Sequence, residues 1–257
     1  MHHAQIDRLS YQASLIHALD ARVKLVCVLV FSVFVISLPA TSVSILTCYA
    51  IWPFAVLVIA GVPVRFVLKH ILIVSPFIAV LAVSNLLYDK AVVIAAFGPW
   101  RWETTGGACR CFSIFGKFII TMAALVGLVA TTRFSDLLAA MAKLGVPHLL
   151  VVQLGFLYRY IFMLIDRGYH VLRARAGRKL RNMGFGDELK TTAAIVGSIF
   201  IGSIDLAGRV NMAMQGRGFD GRFHRLSEMR ITKADYLFAA LLALYLLVLL
   251  LMGRILF

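Results

Sequence analysis

Acidic residues are scarce in this chain of 257 residues: 12 Asp and Glu stand against 26 Lys and Arg, a formal net charge of +14. The few carboxylates are also dispersed. Asp7, Asp20, Asp136, Asp166, Asp187, Glu188 and Asp205 form no pair at one-turn spacing on a membrane helix. A lipid-headgroup transferase, which needs clustered carboxylates at the membrane face to hold a divalent metal, therefore finds no assembled site. Cysteine is equally uninformative. Cys27 and Cys48 lie in apolar runs, and Cys109-Arg110-Cys111 is too tight for a zinc or redox pair. His17, His70, His148, His170 and His224 are spread along the chain with no Ser or Cys partner, and His2-His3 beside the first residue reads as a flexible end. No glycine-rich phosphate loop is present, so ATP is not expected to be bound by this chain itself. The expectation is of no catalytic, cofactor-binding or metal site.

What the chain has in abundance is apolar length. Hydrophobic residues make up 61% of it and the mean hydropathy is +0.90, well beyond the roughly 45–50% of soluble domains. Several runs meet the roughly 17–25 residues that cross a bilayer core. The first twenty residues carry Asp7, Arg8, His17 and Asp20 in place of the apolar core of a signal peptide. The predicted fold class is an all-α polytopic membrane protein with about five transmembrane helices and long cytoplasmic helices. The spans are expected near residues 23–39, 43–60, 70–87, 113–131 and 236–256, with Pro53 inside the second and Lys117 snorkelling from the outer end of the fourth. Arg22 and Lys24 precede the first span and favour a cytoplasmic N-terminus. The loop 88–112, with Trp100 and Trp102, suits the outer interface. Central parts of these spans carry almost no ionisable group, which argues against a stand-alone channel or secondary transporter.

Three parts are expected: residues 1–131 with four spans, 132–232 with amphipathic and cytoplasmic helices, and 233–257 with the last span. The middle part concentrates the charge. From Arg159 to Arg230 there are thirteen Lys and Arg against six Asp and Glu. An amphipathic helix opens at Phe134-Ser135-Asp136 and ends at Gly145, and Pro147 restarts a helix at its first turn. Apolar residues 149–165 run without a turn into the basic stretch 167–181, and 193–206 leads into Asp205 and Arg209 in the same way. These segments read as helices half under the membrane, and counting either as a full crossing gives six or seven spans. Asn182 to Asp187 reads as the break between them, with Asp187 placed to cap the second.

Two islands stand out. In Ala174-Arg175-Ala176 and Gly216-Arg217-Gly218 an arginine is flanked by the smallest residues. A guanidinium carries five donors in a planar fork suited to carboxylates, and small neighbours let a partner backbone come close. The plain alternative is that both are headgroup-binding arginines of a basic inner loop.

The run Ala139 to Pro147, then Tyr158-Arg159-Tyr160, then Arg173-Ala174-Arg175-Ala176-Gly177-Arg178, resembles the transmembrane (T) component of energy-coupling-factor ABC transporters. Arg209 to Phe219 resembles that family's second signature, with Gly216 where alanine is frequent, and Leu19-Asp20-Ala21-Arg22-Val23-Lys24 also fits. Ile6-Asp7-Arg8-Leu9-Ser10 is similar to the opening of CbiQ, the cobalt-transporter T component. The resemblance implies a coupling subunit in the plasma membrane of a bacterium or archaeon. Two cytoplasmic ABC-type ATPases would bind the ATP and grip Arg175 and Arg217, with Ala174, Ala176, Gly216 and Gly218 setting the close fit. A separate substrate-binding membrane subunit (CbiM-like), with a small accessory subunit (CbiN-like), would carry cobalt or nickel.

Overall fold

The computed structural model describes residues 10, 14–39, 43–88, 92–97, 100–178, 184–221 and 231–256. Among these, eight helices account for nearly all regular structure: α1 (Ala21–Ser37), α2 (Val43–Ile59), α3 (Val64–Tyr88), α4 (Gly106–Thr131), α5 (Phe134–Lys143), α6 (His148–Arg178), α7 (Phe185–Gly216) and α8 (Lys233–Leu256). The expected all-α architecture holds for the body. One addition lies in the loop after α3, where β1 (Val92–Phe97) and β2 (Trp100–Thr105) pair antiparallel from Val92↔Thr105 to Phe97↔Trp100. Among the described residues, five helices are long and apolar enough to cross a membrane: α3, α4, α6, α7 and α8. The number matches the sequence expectation but the membership does not. At 17 residues each, α1 and α2 sit at the short end of the spanning range, while α6 and α7 qualify by length.

The chain divides into two compact units, residues 1–140 with 228–257, and residues 141–227. In the first, α1, α2, α4 and α8 meet in one core around Phe31, Val35, Tyr49, Ile120, Leu242 and Leu246. Trp52 packs between Phe238 and Tyr245, with ring centres 5.4 and 5.6 Å away. A second cluster joins the end of α2 to α3 and α4 through Leu57, Ala60, Val67, Ala123 and Val126. Gly61 makes that corner possible. It takes φ +69°, and the Val62 N–H reaches back to the Leu57 carbonyl at 3.1 Å, the left-handed helix stop that favours glycine.

Two polar anchors hold the first unit together. Asp235, 1% exposed, accepts from the Thr232 N–H at 2.6 Å, the Thr232 hydroxyl at 2.7 Å and the Asp20 N–H at 2.7 Å. It therefore caps the start of α8 and ties it to the start of α1. Asp20 in turn caps α1, its carboxylate accepting from the Arg22 N–H at 2.9 Å. Lys24, expected to flank the first span, is instead buried at 4% exposure. Its ammonium donates to the carbonyls of Thr131 at 3.0 Å and His17 at 3.4 Å.

Lys117 also departs from expectation. Its ammonium donates to the Ile36 carbonyl at 3.1 Å and to the Leu38 carbonyl. No basic residue stands in the last turn of α1, so a cation from α4 satisfies carbonyls that the helix end leaves open.

Candidate partner-docking site

The second unit is built on α6 and α7. Both are continuous, 31 and 32 residues long, or about 46 and 48 Å at 1.5 Å per residue. The apolar and basic halves of α6 thus belong to one helix, as the absence of a turn between them predicts. The start of α7 differs from expectation. Gly184 is its N-cap, without a side-chain bond, and Asp187 lies in the first turn beside Glu188. Their charges complement the helix dipole there. Residues 182 and 183 of the expected break lie outside the described residues.

The helices run antiparallel, as three contacts show. Arg175 Nη1 lies 3.5 Å from Thr192 Oγ1, Arg167 Nη1 donates to the Gly202 carbonyl at 3.2 Å, and the rings of Phe156 and Phe219 sit 6.3 Å apart. Positions that rise along α6 fall along α7. Between Phe156, Tyr160 and Leu164 on one side and Leu206, Val210 and Met214 on the other, an apolar groove of about 370 Å³ opens, bordered by Phe219.

The two islands fall at opposite ends of this hairpin. Arg175 stands in the last turn of α6 with Arg178, where cations complement the helix dipole. Ala174 and Ala176 beside it are exposed. Arg217 is the C-cap of α7 and is exposed, as are Gly216 and Gly218. Phe219, next to it, is level with Phe156, so about 28 Å of helix separates the two islands along α6. They form two surfaces and not one.

The small residues have different reasons. Gly218 has φ +74°, its N–H donating to the Gln215 carbonyl and the Phe219 N–H to the Met214 carbonyl, both at 3.0 Å. This is the paired bond pattern of a left-handed helix stop, and it holds Arg217 at the very end of the rod. Gly216 has no such need, since a Cβ there meets nothing within 4 Å. Nothing in the fold excludes the alanine that the resemblance leads one to expect.

Sequence reasoning passed over Arg167 and Gly202. Gly202 is the buried residue of α7, and a Cβ on it would fall 2.4 Å from Arg167 Nη2 and 2.7 Å from its Cζ. The guanidinium therefore lies directly on the α7 backbone. The one sequence cue was the pair of glycines Gly197 and Gly202 inside the apolar stretch 193–204.

Comparison with known proteins decides the family, because the model of the CbiQ cobalt transport proteins matches residues 12–229. The chain belongs to the CbiQ family. It is 25% identical over 267 aligned positions to the energy-coupling factor transporter transmembrane protein EcfT of Clostridium kluyveri, covering 94% of this chain and 93% of that one. The nickel permease LarQ of Lactiplantibacillus plantarum is 32% identical over 108 residues, 42% of this chain and 38% of LarQ. A putative ABC transporter ATP-binding protein of Bifidobacterium longum matches 90% of this chain at 24% identity, over only 31% of its own length. The chain is thus a multi-pass membrane component of the energy-coupling-factor transporter type, with the coupling role of that family.

Proposed function

We propose that the α6–α7 hairpin is the handle by which two ABC-type ATPase subunits move this membrane protein, one gripping Arg175 and the other Arg217. The observation that carries this reading is the placement of two small-flanked arginines, Arg175 half-buried and Arg217 exposed, at opposite ends of one hairpin. At about 28 Å of helix apart, they suit two acidic grooves better than one. Ala174 and Ala176 leave the flanks of Arg175 open, and Gly218 sets Arg217 at a helix end. ATP is bound and hydrolysed by those partners, and this chain performs no chemistry of its own. The Bifidobacterium relative supports that pairing, since its length leaves ample room for an ATP-binding part beside the matched region.

Charge supports the orientation. Basic residues stand at both ends of the hairpin, Arg173 to Arg178 at one and Arg209 to Arg217 at the other. A full crossing by α6 and α7 would put one of these clusters outside, against the positive-inside bias. The hairpin therefore lies along the cytoplasmic face, and α1, α2, α3, α4 and α8 cross, with the N-terminus inside. Motion of the hairpin passes to a separate substrate-binding membrane subunit of the CbiM kind, with a CbiN-like accessory. The cargo is a cobalt or nickel ion, as the names of the family and of the LarQ relative suggest.

The test is co-purification in mild detergent with candidate ATPases, comparing the unaltered chain with an Arg175→Glu/Arg217→Glu variant. Capture by the unaltered chain and its loss in the variant is the expected result. Equal capture by both would remove the arginines from the interface.

A further inference from the structure

We infer that the docking site at Arg175 extends across the hairpin onto α7, where Phe185 and Leu189 form an apolar anchor that the ATPase takes up beside its own carboxylate. This rests on the proposed function and adds to it what stands next to one of the two arginines. Arg175 is held from the neighbouring helix. Its Nη1 lies 3.5 Å from Thr192 Oγ1, and the Thr192 hydroxyl donates to the Glu188 carbonyl at 2.8 Å. The hydroxyl proton is thus engaged, and the oxygen's lone pairs are left to accept from the guanidinium. One donor of the fork is placed in this way, and others remain for a partner carboxylate.

Thr192 belongs to a stripe. Phe185, Leu189, Thr192 and Val196 recur at spacings of four, three and four, so they share one flank of α7. All four are exposed. From Thr192, Leu189 stands about 5 Å and Phe185 about 11 Å along the helix, so cation and ring lie within the reach of one groove. Phe185 is 85% exposed, more than any other large apolar side chain among the described residues. The hydrocarbon of a membrane does not account for it. Gly186 to Thr192, with the charged Asp187, Glu188 and Lys190, separates it from the apolar stretch 193–206. Arg173, Arg175 and Arg178 select an acidic partner, and the ring selects an apolar wall next to the acid. Arginine and aromatic side by side are the residue types that dominate binding at the centre of interfaces. The other end of the hairpin presents a different surface. Phe219, next to Arg217, is half-buried, its ring centre 6.3 Å from that of Phe156.

The experiment places the full chain in nanodiscs of phosphatidylethanolamine and phosphatidylglycerol with the ATPase that it captures. In one arm Phe185→p-benzoylphenylalanine is illuminated, and the cross-link should run to the ATPase. In the other, ATPase affinity is measured by biolayer interferometry. Phe185→Ser should weaken it by about tenfold or more, as expected for a buried aromatic, and Phe185→Tyr should restore most of the loss. Where Phe185→Ser fails to accumulate, the cross-link alone decides. A cross-link to lipid or to this chain alone, or undiminished affinity in Phe185→Ser, would overturn the apolar anchor. If Arg175→Glu/Arg217→Glu still loses binding in that case, the arginine-docking reading stands. Undiminished binding by that variant too, or no ATPase capture by the unaltered chain, would overturn both.

Discussion

Replacing the buried Asp235 by alanine should markedly loosen the first unit. The carboxylate is 1% exposed and accepts three hydrogen bonds, at 2.6, 2.7 and 2.7 Å. Bonds to a charged acceptor contribute about 1.5–3 kcal/mol, and each donor left buried without a partner costs about 1–3 kcal/mol. The Thr232 hydroxyl can turn to another acceptor, so two main-chain N–H groups remain as the principal loss. A total of about 2–6 kcal/mol follows. For a chain of this size each kcal/mol lowers Tm by about 2–4 °C, so the expected drop is at least about 4 °C. The assay is thermal aggregation of the detergent-solubilised protein followed by size-exclusion chromatography. Asp235→Asn should recover only part of the loss, because its amide presents a donor where the site supplies donors. Asp205→Ala, on an exposed position of α7, should change Tm by less than about 2 °C, as surface substitutions do. A drop for Asp235→Ala no larger than that of Asp205→Ala would refute the anchoring role of this carboxylate.

Three further outcomes are expected. Lys117→Met removes the cation from the α1 carbonyls and should lower stability by about 1–2 kcal/mol, read by the same thermal assay. Gly216→Ala should preserve ATPase capture and firm the end of α7 by up to about 1 kcal/mol, since space is open there. Gly218→Val should weaken ATPase capture although Arg217 is untouched, because φ +74° is unfavourable for a β-branched residue. Quantitative pull-down of the ATPase distinguishes the last two.

Much of this was legible in the sequence, and the exceptions share a cause. Periodicity and the absence of a turn were enough to read α6 as one helix through Ile165 into the basic run. Gly145 and Pro147 marked the joint before it. The islands stood out by composition alone. What escaped were contacts between distant residues. Nothing local to Asp235 announces that it binds the N–H of Asp20, 215 positions away. Lys117 reads as a snorkelling lysine until α1 is found to end beside it. Arg167 and Gly202 each look ordinary, and only the crossing of two helices gives the missing Cβ a purpose. Strand β1 hid in a short apolar run, Val92–Phe97, which periodicity alone does not separate from helix. Asp187 was read as a cap because its residue type is right, yet the helix starts earlier, at Phe185.

The central claim is that two ATPase subunits hold one hairpin by its two ends. The most direct measurement is site-specific cross-linking from Ala176→Cys and Gly216→Cys to a cysteine placed in the acidic groove of the ATPase. The account predicts that each position cross-links, and that the doubly substituted chain joins two different ATPase copies in one product. A doubly substituted chain that joins only one copy through both positions, or cross-links at neither while the complex stays assembled, would contradict it.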